Sequence, residues 1–434
     1  MPPPDAARES FRRGGDRPVG SRGPRHGGRG RSGSLRSECH PTVLLSPDMA
    51  VTKQAGPPRP IAAGDVVAAF SAELGAWTAA QIVGIDAERQ KAAVLELDWS
   101  GPEPMSVDDL GDVSPLRLTH HAWNGSLAYR NLPWVLPRSH KVVGRMPPLH
   151  EGPSPSYGFG WRLGDDLARQ RRWDAGVRED PPAPWKLACT GAEIDGMAEA
   201  RPDVTRLDVR EIGTLDCGRI VRLFPNLTEL GLRGDLGLLA AAGRLNELAS
   251  LKELAVFDLF GMTKEDRLKP RCTPELESLH LYSVPAEYAN AMRSTWRPEI
   301  PNGTRVEIRD ARRPEWVAEN RDNPLRDWDG RGTIGKTTFT KSVAQYKATR
   351  RAVMAVLAEG PADDRPAQLT GVGRGFGEAF NGLDRRTGFI ETVEREELFD
   401  ALDRIARDAA AAFGVEPRWV FESLASGVET VRDW

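Results

Sequence analysis

The 434-residue chain has few cysteines, no long apolar run and little net charge. Its cysteines, Cys39, Cys189, Cys217 and Cys272, are too far apart in sequence for a CxxC metal or redox pair. So sparse a set predicts no disulfide framework and favours a reducing compartment. Without a run of about 18 apolar residues or the apolar core of a secretory signal, the sequence predicts a cytoplasmic protein.

Sequence motifs for catalysis are equally scarce. There is no GxSxG elbow and no HExxH pair, and the seven histidines show no metal-ligand spacing. The net charge of −3 indicates no strongly acidic or basic partner. We therefore expect a protein that is not an enzyme and holds no cofactor or metal, although an unrecognised hydrolase site remains an alternative.

One segment fits a nucleotide-binding pattern. Residues 330–337, GRGTIGKT, match GxxxxGK[ST] in every position. The pattern binds phosphate only where a buried strand precedes the loop, and the preceding ENRDNPLRDWD is charged. We interpret the segment as a loop in which Thr333 or Thr337 caps the next helix; the alternative is an NTPase that uses Lys336.

Residues 1–60 are rich in Arg, Gly, Pro and Ser. Such a composition buries too little apolar surface to offset the entropy of ordering, which predicts a disordered tail. Met49 is a candidate start, in which case residues 1–48 are not translated. The alternative is that the Arg-rich arm binds RNA.

Residues 61–118 alternate between apolar and polar positions over short segments, which predicts an all-β unit. Val66, Ala68 and Phe70 share one face of the first strand. In the strand Lys91–Trp99, the alternate residues 93, 95, 97 and 99 share a face that ends in Trp99. Strands so short are best buried by closing into a small barrel.

These residues resemble the Tudor/Agenet group of SH3-like barrels. The resemblance implies an aromatic cage for methylated Lys or Arg, with Phe70, Trp77 and Trp99 as its candidates. The position after the first Trp, often aromatic in the family, is Thr78, so a structural or peptide-binding barrel is the other interpretation. The matching positions are Gly64, Asp65, Val67, Gly75, Trp77, Ala80, Ile82, Val94, Trp99, Leu110 and Leu116.

Residues 119–182 are dense in aromatic residues and proline. Aromatic side chains at this density usually anchor the packing between elements, which predicts an ordered connector between the barrel and the next domain. Aromatic and Arg side chains together also suit nucleic acid, which remains an alternative. The aromatic residues are Trp123, Tyr129, Trp134, Tyr157, Phe159, Trp161 and Trp173.

A short phrase recurs between residues 204 and 309. VTRLDV, LTELGL, LKELAV, LESLHL and the degenerate GTRVEI place Leu207, Leu230, Leu254, Leu279 and Val306 at steps of 23, 24, 25 and 27. Alternation within each phrase turns two apolar side chains to one face of a strand. Stacked repeats of this length bury a continuous core under a parallel sheet.

The phrase LxxLxL resembles the leucine-rich repeats of bacterial proteins, which implies a solenoid over 183–312. Where the family has Asn or Cys after the strand, this chain has Ile212, Asp235, Leu259 and Val284, so we expect irregular loops. The resemblance implies that a partner protein binds the concave face of the sheet. Its candidate residues are Arg206, Asp208, Arg210, Glu229, Arg233, Glu253, Phe257, His280, Tyr282, Glu307 and Arg309.

Residues 313–434 are predicted to form a helical domain. Leu398, Leu402, Ile405, Ala409 and Phe413 recur at helical spacing, with Thr392 as N-cap and Gly414 as the stop. Two further helices are predicted, one near 375–383 and one near 419–431. An earlier helix is predicted to bury Phe339, Val343, Tyr346, Val353 and Leu357.

Together these features predict a multi-domain α/β protein with a small all-β domain. The leading hypothesis is a non-catalytic adaptor that binds an unidentified protein on the concave face. The alternative is a nucleic-acid-associated protein that uses the Tudor-like barrel and the Arg-rich arm.

Overall fold

The computed structural model describes residues 61–158 and 160–434. The predicted tail, residues 1–60, and Phe159 lie outside the described residues. The architecture is mixed α/β: a five-stranded antiparallel sheet, a six-stranded parallel sheet and a helical region succeed one another along the chain.

The antiparallel sheet has the strand order β6-β3-β2-β1-β7. Its two outer strands lie in the segment predicted as a connector. They join the sheet because β1 and β3 would otherwise expose unpaired backbone groups along their edges. The strands, including a separate short pair β4–β5, are β1 (Asp65–Ser71), β2 (Ala76–Asp86), β3 (Lys91–Gly101), β4 (Arg117–Leu118), β5 (Ser126–Leu127), β6 (Tyr129–Pro133) and β7 (Lys141–Arg145).

This sheet is buried on both faces. Val67 and Ile82 belong to one apolar cluster, while Val66 and Leu97 belong to another. Consecutive residues of one strand point to opposite faces, so both clusters draw on β1. Beyond β7 the chain forms a helix, α1 (Asp165–Asp174), within the predicted connector.

The parallel sheet runs in chain order from β8 to β13. Leu207, Leu230, Leu254, Leu279 and Val306 lie side by side in register, as the repeat spacing predicts. The first strand pairs with the second and lies outside the recognised repeats. The strands are β8 (Lys186–Thr190), β9 (Arg206–Asp216), β10 (Glu229–Ala240), β11 (Glu253–Phe260), β12 (Ser278–Tyr282) and β13 (Arg305–Arg309).

Only one face of the parallel sheet carries its core. The inward leucines pack with Phe224, Tyr288 and Trp296, which are almost fully buried in the return segments. Because every return passes on the same side, the opposite face of the sheet has no helix over it from these returns. The helices on this side are α2 (Gly191–Gly196), α3 (Cys217–Leu223) and α4 (Ala286–Trp296).

The backbone repeats one conformation at bends just beyond the last regularly paired residue of several strands. Glu211, Asp258, Ser283 and Asp310 each come directly after the last open-face residue of a strand and have a positive φ of 49–52°. The Asp258 carboxylate accepts hydrogen bonds from the Leu236 backbone N–H and the Ser283 hydroxyl, both at 2.9 Å. The Asp258 carboxylate thereby links three neighbouring bends of the backbone, at Leu236, Asp258 and Ser283, none of which has an Asn.

The C-terminal region is helical. Leu398, Leu402, Ile405 and Ala409 are buried as predicted, whereas Phe413 is 39 % exposed because the helix ends there at Gly414. Within the described ranges, no helix is both long and apolar enough to cross a membrane. The helices are α5 (Pro314–Asn320), α6 (Lys336–Glu359), α7 (Arg365–Asp384), α8 (Thr392–Phe413) and α9 (Pro417–Glu429).

Helix α6 faces the core differently from the prediction. Val343 is only partly buried, and Ser342 and Thr349 are buried instead. The Ser342 hydroxyl donates to the Thr338 carbonyl at 2.9 Å, which satisfies it inside the core. At α8 the N-cap is Glu391 rather than Thr392.

The glycine-rich segment 371–377 lies inside α7, which begins ten residues before the predicted helix. A Cβ at Gly373 would lie 2.0 Å from the Leu424 carbonyl oxygen of α9, and one at Gly427 would lie 2.0 Å from that of Thr370. The glycines therefore allow the backbones of α7 and α9 to approach closely. The sequence pattern did not predict this role.

In the segment 330–337, residues 330–335 form a loop and Lys336 and Thr337 begin α6. In the described part of the chain this segment comes after helix α5 and a 3-10 turn, Arg326–Trp328, rather than a strand. The predicted cap is wrong, because Gly335 is the N-cap and no side chain bonds there. Arg331 instead anchors the loop by ion pairs to Glu394 and Glu397, both at 2.7 Å.

Candidate functional site

The side of the parallel sheet opposite its core, here called the open face, presents three rows of side chains. All of the predicted concave-face residues lie on it, brought together by the strand register. The amino row is Lys186, Arg206, Glu229, Glu253, Ser278 and Arg305. The middle row is Ala188, Asp208, Gly231, Ala255, His280 and Glu307. The carboxyl row is Thr190, Arg210, Arg233, Phe257, Tyr282 and Arg309.

The middle row contains a recess. Gly231 and Ala255 have minimal side chains and form its floor between Asp208 and His280, while Ala188 lies on the far side of Asp208. The space has a volume of about 440 Å³. The residue between the two inward apolar residues of each phrase decides this shape. The sequence shows a small residue at this position in LGL (230–232) and LAV (254–256). The sequence prediction selected the large outward side chains and did not include Gly231 and Ala255.

Glu229 of the amino row pairs with two guanidinium groups, those of Arg206 in the same row and of Arg162 outside the sheet. Glu229 lies 3.0 Å from Nη2 of Arg162 and 3.0 Å from Nε of Arg206. The same Nη2 lies 3.5 Å from Glu253. Burial and the adjacent Glu229 raise the pKa of Glu253, while Arg162 and Arg206 oppose the shift. The row is therefore a connected set of charges rather than separate solvated groups.

The carboxyl row contributes an aromatic patch. The Phe257 ring centroid lies 5.2 Å from that of His280 and 6.5 Å from that of Tyr282. The Arg233 guanidinium lies 4.7 Å above the Phe257 ring. Burial lowers the pKa of His280, so this ring is neutral at physiological pH. Partly buried rings beside a cation form an amphipathic contact area.

Two further carboxylates of the open face are paired along their own strands. Asp208 lies 2.7 Å from Nη2 of Arg210. Glu307 contacts both Arg305 and Arg309, the latter at 2.6 Å. Burial alone would raise the pKa of Glu307, but the surrounding cations lower it. Glu307 consequently carries full charge at neutral pH.

The antiparallel-sheet region borders the amino row. Arg138 donates to the Leu276 carbonyl at 3.2 Å and to Glu299 at 2.7 Å, and the Ser139 N–H donates to Glu277 at 2.6 Å. Between this region and the amino row lies a cavity of about 760 Å³, walled in part by Trp161 and Arg162. The sequence analysis did not identify Arg162 as a site residue, because it lies outside the repeats in the chain.

The helical region borders the open face at its other end. Arg326 contacts Asp235 in β10 and lies 3.9 Å from Asp258 in β11. Arg312, which is almost fully buried, lies 2.6 Å from Asp329. The open face is therefore a trough between two neighbouring regions rather than an unbounded surface.

The candidate aromatic cage is only partly assembled. Phe70 and Trp77 are edge-to-face with centroids 6.4 Å apart, and the Lys141 ammonium lies 4.7 Å from the Trp77 ring centroid. Trp99 packs with the core cluster of Leu97 and makes no ring contact with another aromatic within the described residues. A side chain of the protein itself thus occupies the cation position over Trp77.

A buried carboxyl group lies beneath the border of the trough. Glu96 on β3 is 6 % exposed and accepts a hydrogen bond from the Gly164 N–H at 3.1 Å. Burial and the neighbouring Asp166 raise the pKa of Glu96 to about 8. Burial likewise raises the pKa of Asp165, at the start of α1, to about 6.

No protein-family model matches the chain, and comparisons with curated proteins and with solved structures found no match either.

Proposed function

We propose that this protein is a non-catalytic adaptor that binds a partner protein on the open face of a leucine-rich-repeat-type solenoid. The proposal rests mainly on the recess over Gly231 and Ala255, which lies beside the aromatic patch of the carboxyl row. Protein interfaces concentrate binding energy where an anchor side chain fills a pocket rimmed by aromatic and Arg residues.

We further propose that the antiparallel sheet is an SH3/Tudor-like barrel with a structural role. Arg138 and Ser139 contact the parallel-sheet region through hydrogen bonds, so this region borders the trough. The position of Lys141 over Trp77 favours this role over the recognition of methylated residues.

Affinity purification from the cells that naturally make the protein, with quantitative mass spectrometry and nuclease treatment, tests the adaptor function. One variant fills the recess, Ala255→Leu, and another removes the rim, Arg210→Ala with Phe257→Ala and Tyr282→Ala. The matched control is Ala249→Leu, at an exposed position in the return segment after β10. Thermal unfolding checks that all variants fold.

We expect at least one protein to be retained by the wild type and the control and lost from both open-face variants. Retention by all variants would overturn the proposal. Recovery that disappears after nuclease treatment would transfer the function to nucleic-acid binding.

A further inference from the structure

The trough is lined by many charged side chains. The recess and the larger cavity share Arg162, Arg206 and Glu253, so they adjoin. Six arginine or lysine side chains and four carboxylates line the two spaces, and two of the arginines, Arg130 and Arg305, pair with Asp166 and Glu307 outside the lining. The charged groups nearly balance, so an anion is recognised here by cationic N–H donors that the protein's own carboxylates leave unused, not by an excess of positive charge.

Two of these cations have donors left to offer. Arg162 reaches its carboxylates through Nη2 alone, and Arg206 reaches Glu229 through Nε alone. Among the described residues, no hydrogen-bond or ion-pair partner lies on Nε or Nη1 of Arg162 or on either Nη of Arg206. A guanidinium group carries five N–H donors, so both side chains retain donors from which a further anion can accept hydrogen bonds.

Glu229 gives these groups a defined position. Its carboxylate lies 3.0 Å from each of the two arginines, and Glu253 adds a second carboxylate 3.5 Å from Nη2 of Arg162. Lys186 lines the same recess, is exposed, and has no ion-pair partner within the described residues. Cations that are held in place before binding lose less entropy when an anion arrives.

The larger cavity has space and aromatic walls for the aliphatic parts of a peptide. Its volume of about 760 Å³ is walled by Trp161 and by Tyr157, whose side chain is 64 % exposed. Aromatic walls cover the aliphatic stems of acidic side chains, while the arginines bind their carboxylates. We propose that the trough binds an acidic peptide segment of the partner, with Arg162, Arg206 and Lys186 as the residues that recognise its carboxylates. This inference rests on the proposed function.

Fluorescence anisotropy with three labelled ten-residue peptides tests the inference. The peptides alternate alanine with glutamate, glutamine or lysine, and a ten-nucleotide oligothymidylate serves as a nucleic-acid probe. The protein variants are Arg162→Gln with Arg206→Gln, the charge reversal of the same two positions to Glu, and the control Arg222→Gln, which lies exposed on α3 behind the sheet.

We expect the glutamate peptide to bind wild type and control, and the glutamine and lysine peptides to bind neither. The double Gln variant should weaken binding of the glutamate peptide at least about tenfold, the loss expected when charged hydrogen bonds are removed. The charge-reversed variant should bind the lysine peptide instead.

Absence of binding by the glutamate peptide would overturn the inference, as would binding that the Arg162 and Arg206 changes leave intact. Tighter binding of the oligothymidylate would assign the trough to nucleic acid. A natural partner that is lost with Ala255→Leu but kept by the double Gln variant would refute the acidic segment and leave the proposed function standing.

Discussion

The antiparallel sheet of this protein is buried on both faces, whereas the parallel sheet is buried on one. Antiparallel sheets often leave one face in water and parallel sheets are usually covered on both. Here the antiparallel sheet buries both Val66 and Val67, neighbours on β1, while on β11 Leu254 is buried and Ala255 faces the trough. The reason is topological, since every return of the parallel sheet passes on one side.

The comparison shows which strand residues can vary without loss of the core and so can form a binding surface. A strand that is packed on both faces loses stability when a side chain on either face becomes smaller or larger. A strand that is packed on one face is free to vary every second residue, and those residues define the recess and its rim. Substitutions on the two sheets should therefore have different consequences.

The largest expected effect separates adjacent residues of one strand. Leu254→Ala should lower the free energy of unfolding by about 3 kcal/mol, because it opens a cavity in the core. Ala255→Leu should change it by less than about 0.5 kcal/mol, because the larger side chain enters the recess. Chemical denaturation of both variants measures the contrast, and equal losses would contradict the assignment of an open face.

The antiparallel sheet should show no such contrast. Ala68 and Ala69 are 0 % and 3 % exposed and belong to opposite faces. Ala68→Leu and Ala69→Leu should each cost about 2 kcal/mol, because the extra methylene groups overpack a filled core. Denaturation under the same conditions tests this, and a neutral result at either position would show that its face has space.

A smaller effect should depend on pH. The pKa of Glu96 is raised to about 8 in the folded protein from an ordinary 4.5. Between these values the folded protein holds a proton that the unfolded chain releases, so stability falls as pH rises. Glu96→Gln keeps an acceptor for the Gly164 N–H and cannot ionise. The free energy of unfolding of this variant minus that of wild type should therefore be larger at pH 8.5, a pH chosen above that pKa, than at pH 5, by at least about 1 kcal/mol.

Urea denaturation at the two pH values measures the difference. The control is Glu103→Gln, whose exposed carboxylate pairs with Lys141 at the surface. Parallel pH profiles for wild type and Glu96→Gln would mean that Glu96 ionises normally in the folded protein.

Periodicity made the parallel sheet and most of the helical core predictable. The register of Leu207 with Leu230 and Leu254 results from spacing alone, since a repeat must stack on its neighbour to bury its core. The candidate residues of the open face result from the same alternation. By contrast, β6 and β7 fall within the predicted connector because their pairing partners lie distant in the chain.

By itself the sequence determined which residues of each repeat point inward and which point outward, because strand geometry alternates side chains strictly. It did not determine that Arg162 reaches Glu229, that Lys141 lies over Trp77, or that Gly373 meets the backbone of α9. Only the tertiary structure decided these contacts, because each joins segments whose separation carries no periodic signal and whose meeting depends on how whole elements pack.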